Sequence, residues 1–259
     1  MLPNNNRNIS RFSAGRHATL WRSLAVLAAA CSSVASAADD WRWSLTPYLW
    51  AISTDFSTAL NLGDGGQQDF SDILGKLDFA AQVHAEATRD RWGFILDVTN
   101  LQMSDRGPQR GFEVKTDSKV TLVEALGMIS AGEDARNGLD LLFGARILGV
   151  DLDVLVFDGE GGDMLARASL DDDLTDFVLG VRYRRALGDK WSLIARIDGA
   201  SGDTDYTANL ELTLGRHFGD NGALRIGYRY LDIEFERGSE LLEPSLVISG
   251  PVIGYTFAF

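Results

Sequence analysis

One cysteine and three histidines among 259 residues leave several kinds of chemistry without material. Cys31 is the single thiol, and it falls inside a segment that reads as a removable leader. The remaining chain therefore has no disulfide framework, no thiol nucleophile and no thiolate metal site. Long apolar runs are also missing. No stretch of roughly 18 apolar residues marks a membrane-spanning helix, although barrel strands escape that test because their hydropathy averages out. Bases are in the minority, 24 against 37 acids, for a net charge of −13. Nucleic-acid phosphates require a basic surface, so a nucleic-acid partner is excluded.

What is present begins with an export signal. Arg7, Arg11, Arg16 and Arg22 form a basic leader with no acid before Asp39. The apolar core Ser23 to Ala30 follows, then small residues at Ala35-Ser36-Ala37. This is the three-part pattern of a secretory signal peptide, with cleavage expected after Ala37 or one residue later. Residues 1–37 are thus the expected signal and 38–259 the expected mature domain.

The end of the chain suggests where the exported product goes. Ser245 to Phe259 carries no charge, and counting back by twos gives Phe259, Phe257, Tyr255, Ile253, Pro251 and Val247, broken only by Ser249. Alternate residues of a strand share a face, so one side is almost wholly apolar and aromatic. In water that would be an aggregation liability. Covered by lipid, it is the closing strand of an outer-membrane barrel, with Phe259 as the terminal assembly signal.

Ten segments carry strand patterning: 41–52, 77–89, 91–102, 118–131, 138–150, 173–187, 190–200, 205–218, 223–236 and 245–259. In 91–102, Trp92, Phe94, Leu96 and Val98 alternate with Gly93, Ile95, Asp97 and Thr99. In 173–187, Phe177, Leu179, Val181 and Tyr183 oppose Asp176, Gly180, Arg182 and Arg184. Short links alternate with mostly long ones (53–76, 103–117, 151–172 and 237–244), as in bacterial outer-membrane barrels. The expected fold is all-β, a closed antiparallel transmembrane barrel of about ten strands. Eight remains an alternative, and twelve another because Leu152 to Phe157 could be a strand of its own. Trp41, Trp43, Tyr48, Trp50, Trp92 and Trp191 fit aromatic girdles at the membrane interface.

Three motifs carry a family likeness: Trp43-Ser44-Leu45-Thr46-Pro47-Tyr48-Leu49-Trp50, Asp69-Phe70-Ser71-Asp72-Ile73-Leu74, and Gly250-Pro251-Val252-Ile253-Gly254 with Phe259. Together they resemble a family of uncharacterised proteobacterial outer-membrane β-barrel proteins. The resemblance implies the fold and an outer-membrane location, and no reaction.

Gly-x-Arg recurs as Gly144-Ala145-Arg146, Gly180-Val181-Arg182 and Gly227-Tyr228-Arg229. Glycine two residues away on the same face leaves room for a guanidinium inside. With Arg184, Arg196 and Arg225, six arginines point inward, and Glu86, Asp97, Asp198 and Glu211 are their candidate partners. Glu124 is a weaker candidate because it shares its face with Val120, Leu122 and Leu126. Charges in a narrow interior must pair. The pairing either plugs the barrel or forms a selectivity ring for anions or polar solutes.

Two smaller constellations complete the reading. His84 and Glu86 share a face and form a possible general-base pair, which would also need a nucleophilic serine. Asp158, Glu160 and Asp163 sit in a glycine-rich acidic run that could hold Ca²⁺ through hard oxygens. No cofactor is called for. The expected partners are outer-membrane lipid, lipopolysaccharide and the barrel assembly machinery. The leading function is an integral outer-membrane barrel with a structural role or a narrow passage for small solutes. The alternatives are a membrane-embedded hydrolase using the lumenal His84 and a surface-binding module acting through acidic loops.

Overall fold

The computed structural model describes residues 41–55, 67–68, 77–109, 112–132, 137–158, 162–219, 221–234 and 245–259. The signal segment 1–37, the Asp69–Leu74 motif and Glu160 lie outside them. Among the described residues every regular element is a strand: β1 (Arg42–Trp50), β2 (Ser53–Asp55), β3 (Gln67–Gln68), β4 (Leu77–Arg89), β5 (Trp92–Gln109), β6 (Phe112–Ser130), β7 (Gly138–Asp158), β8 (Met164–Leu187), β9 (Trp191–Gly202), β10 (Tyr206–His217), β11 (Gly222–Glu234) and β12 (Ser245–Ala258).

Ten of these close into one antiparallel barrel, β1 followed by β4 to β12 and back to β1. The short β2 and β3 extend the sheet beside β12. Closure runs to the last residue, since Trp43 and Phe259 exchange backbone hydrogen bonds of 3.0 Å in both directions. Sheet edges along the barrel are thereby removed. The turns at this end are tight. Asp90 (φ 52°) and Gly188 (φ 77°) take the left-handed conformation that lets the chain reverse within a few residues.

The alternation read from the sequence is realised in the register. Phe94, Leu96, Leu141, Phe177, Leu179, Ile197, Leu210, Leu212, Ile226, Ile253 and Phe257 are all exposed on the outer wall. Trp43, Trp92, Trp191 and Tyr183 are exposed near the end where the chain terminates. Trp50, by contrast, is only 2% exposed and joins an inner cluster, and Tyr48 bonds to a lumenal carboxylate. Both therefore face the lumen, and the girdle expected of them belongs to their neighbours. The reason is parity: they share a face with Ser44 and Thr46, the inner residues of β1.

The links 103–117 and 151–172 were expected as loops but are mostly strand. β5 pairs with β6 from Trp92↔Ile129 to Gln109↔Phe112, and β7 pairs with β8 up to Phe157↔Met164. β6 and β7 pair over their whole length, so the four strands project beyond the barrel as one sheet. Leu152 to Phe157 is the continuation of β7, so the closed barrel keeps ten strands. A membrane-spanning strand needs about 9–11 residues. The 21 of β7 and 24 of β8 leave about half of each outside such a span. The outer face changes character there. Lys119–Asp151 (3.2 Å), Lys115–Asp117 (2.6 Å) and Arg167–Asp153 (2.8 Å) form ion pairs where the barrel wall below is apolar. The acids had disguised these strands as loop, yet Asp151 and Asp153 have cross-strand cations in Lys119 and Arg167, and Val150, Leu152 and Val154 alternate with them.

The core is the lumen itself. Trp50, Ile52, Leu101, Leu122, Leu148, Leu231, Ile233, Leu246 and Ile248 fill the end nearest the projecting sheet. Ile95, Leu126, Met128, Leu142, Val178 and Ala200 pack as a second inner cluster. Between and below them lie the charges.

Candidate functional site

A ten-stranded barrel has an interior that side chains can almost fill. Here long arginines do much of the filling. Glu124 is the hub and is fully buried. Its Oε1 accepts hydrogen bonds from Arg146 Nη2 (2.6 Å) and Arg196 Nη2 (3.0 Å), and its Oε2 from Arg229 Nη2 (2.9 Å). Asp198 takes a second bond from Arg146 (2.5 Å), pairs with Arg196 (2.7 Å) and accepts from Asn209 (2.8 Å). Arg229 also donates to Asn209 (3.0 Å), lies 3.5 Å from Asp97 and stacks 4.8 Å from the centroid of Trp50. Arg146 donates its remaining terminus to Thr207 (2.7 Å). Charge-assisted bonds of this kind offset the desolvation that makes lone buried charges so costly.

A second layer lies toward the terminal end. Arg182 forks onto Glu86 (2.7 and 3.0 Å) and donates to Asp140 (2.9 Å). Arg184 makes two bonds of 2.8 Å to the same Asp140, which also accepts from Ser130 (2.7 Å). Between the layers, Asp97 accepts from Tyr48 (2.7 Å) and faces His84 Nδ1 at 3.1 Å. His84 Nε2 stands 3.8 Å from Glu86.

All six expected arginines and the four expected acids thus line the interior, but two of them stand apart. Among the described residues Glu211 has no cationic partner within 4 Å, and accepts a hydrogen bond from Thr213 (2.9 Å). Arg225 donates to the Thr256 hydroxyl (2.7 Å) and has no carboxylate partner within 4 Å among the described residues. The ranking of Glu124 also reverses. Its apolar face-mates Leu122 and Leu126 point inward with it, because a dry lumen needs apolar filler above and below the charges.

Asp140 lies six residues before Arg146 on the same face, so parity alone could have nominated it. Parity likewise puts Trp50 on the face of Thr46 and Asn209 and Thr207 on the face of Glu211, but nothing local in the sequence marks the three as partners of the arginines. The glycines of the Gly-x-Arg units serve a different neighbour from the one expected. A Cβ on Gly180 would press on Asp198 and the Ile197 carbonyl, and one on Gly144 or Gly227 on the Ala125 or Leu212 carbonyl. The missing side chain lets the next strand approach.

The cavity beside His84 measures about 90 Å³, room for roughly three waters. Ser44 and Thr46 line it with His84, but no serine hydroxyl is bonded to the imidazole among the described residues. Of the expected calcium ligands, Asp158 and Asp163 are joined through the backbone, Asp158 N–H donating to the Asp163 carbonyl at 2.9 Å.

No protein-family model matches this chain, and neither does any curated protein. Solved structures similar in fold include the translocator domain of the autotransporter NalP from Neisseria meningitidis (12% identity, TM-score 0.44, 93% of this chain and 98% of that one). The outer-membrane protease OmpT from Escherichia coli (9%, 0.45, 86% and 98%) and the attachment invasion locus protein Ail of Yersinia pestis (12%, 0.36, 85% and 99%) are similar as well. These are outer-membrane β-barrels, and the likeness concerns fold alone.

Proposed function

We propose that this chain is an integral outer-membrane barrel with a structural role, a sealed cylinder that holds a four-stranded sheet clear of the membrane. The observation that carries this is the complete burial of Glu124 and its three arginines, capped by the apolar cluster around Trp50. A conducting lumen needs a continuous wet path, and a hub whose central carboxylate has no solvent exposure argues against one. The apolar outer belt with its aromatic rim supports hydrocarbon as the surrounding solvent, and so an outer-membrane location. The ion-paired outer face of β5 to β8 begins where that belt ends, the level at which lipopolysaccharide headgroups would lie. The exposed Phe259 side chain and its closing hydrogen bonds support a role in recognition by the assembly machinery.

Surface binding is a second reading. Asp171, Asp172 and Asp173 are exposed on β8, and the described residues offer no strand beyond that edge from Met164 to Leu174. The hydrolase reading draws less support, because a lipid chain does not fit the cavity beside His84. Planar-bilayer recording on refolded barrel tests the sealed lumen. The expected trace shows insertion without discrete conductance steps, and steady steps would overturn the proposal.

A further inference from the structure

Below the Arg182 layer the lumen widens into a chamber of about 230 Å³ that reaches the rim at Arg42 and Trp43. We infer that this chamber binds a small oxyanion of the phosphate class, with Arg225 as its principal ligand. Only the name of the compartment it faces, the periplasm, rests on the reading above.

The case starts from an imbalance. Four guanidinium groups line the chamber, those of Arg42, Arg182, Arg184 and Arg225. Glu86 and Asp140 satisfy Arg182 and Arg184. Neither Arg42 nor Arg225 has a carboxylate within 4 Å among the described residues. For Arg225 the deficit is sharper, since its Nη1 is buried with no hydrogen-bond partner. A buried donor without an acceptor carries a cost, moderated here because Arg225 as a whole is only partly buried. A guanidinium with donor capacity to spare can complete its bonding on an oxygen of an anion.

Local geometry holds the group in place. Arg225 Nε is fixed on the Thr256 hydroxyl, itself 2.8 Å from Thr46. Gly215, its register partner on β10, leaves the wall bare where Nη1 lies. A Cβ there would stand 3.5 Å from Nη1 and 2.8 Å from the Ser192 hydroxyl.

Depth is set by charge. Arg225 also lines the smaller cavity above, so it stands at the neck between the two. That upper cavity sets three carboxylates, Asp97, Glu211 and Glu86, among four arginines that they largely neutralise, whereas the chamber sets four arginines against Glu86 alone and so attracts an anion more strongly. At roughly 30 Å³ per water the chamber holds about seven, enough for a tetrahedral oxyanion with part of its hydration.

Calorimetric titration of refolded barrel in zwitterionic detergent with inorganic phosphate at low ionic strength tests the site. One saturable site is expected. Arg225→Gln should weaken it at least about tenfold, the loss of a charge-assisted bond, while Arg216→Gln on the outer wall leaves it unchanged. Arg225→Lys keeps the charge without the fork and should fall between, and it serves if the glutamine variant fails to assemble. A short-chain phosphatidylglycerol below its micelle concentration forms a parallel arm. Binding of that lipid alone would assign the oxyanion to a headgroup, and binding of phosphate to a free solute. No saturable binding of either, or equal binding by the Arg225→Gln and unaltered proteins, would overturn the inference. Water bridging Arg225 to the acids above would then account for the chamber.

Discussion

Arg225 and Arg229 stand four residues apart on one strand and face the same way, yet their surroundings differ. Arg229 reaches Glu124, Asn209 and Asp97 and lies against Trp50, while among the described residues Arg225 has only a threonine hydroxyl. Position within the barrel makes the difference. At the level of the hub the opposite wall presents carboxylates, and the apolar cluster excludes water, so each charge must find a counter-charge. In the terminal chamber space remains, and an external ion or water can complete the coordination. On the readings proposed above, the hub is the seal and the chamber the receptor, though both are built from the same kind of side chain.

Removing the centre of the hub should have the largest effect. Glu124→Gln leaves three buried arginines short of a counter-charge and should lower stability by about 3–5 kcal/mol, measured by urea unfolding in lipid vesicles. A change below about 1 kcal/mol would mean that water already enters the hub, and the contrast with the chamber would disappear.

Next is the double variant Glu124→Gln, Arg146→Met. Removing cation and anion together should recover about 0.5–3 kcal/mol of the sum of the single losses, because the two share one network. Simple additivity would show that the pair is not coupled.

The smallest effect belongs to Arg225→Gln in the absence of anion. Deleting an uncompensated cation should shift stability by less than about 1 kcal/mol, toward greater stability. The same unfolding assay then sharpens the comparison. Phosphate at about a hundred times its dissociation constant should stabilise the unaltered barrel by about 2.7 kcal/mol and leave the variant unmoved.

Much of the fold could be read before any coordinates, because a strand writes its two faces into the chain with a period of two. About ten barrel strands, the outward stripe of β12 and the inward direction of Arg146, Arg182 and Arg229 follow from that period, while closure into a barrel chose ten over the eight or twelve that the period also allowed. Where acids interrupted it, as at Asp151, Asp153 and Asp171, the same rule was available but was masked by the habit of reading charge as loop. The hub was less legible. Its contacts join residues far apart in the chain, Arg229 with Glu124 and Arg182 with Glu86, and no local pattern encodes which inward residues meet across a lumen.

The sequence by itself determined the alternation, and with it the apolar belt and the inward direction of most of the charges, because side-chain direction in a strand depends only on parity. Only the tertiary structure decided which charges pair, since closing the barrel sets the stagger between strands and brings distant walls face to face. That stagger gave Glu124 three arginines and left Arg225 without a carboxylate within 4 Å among the described residues.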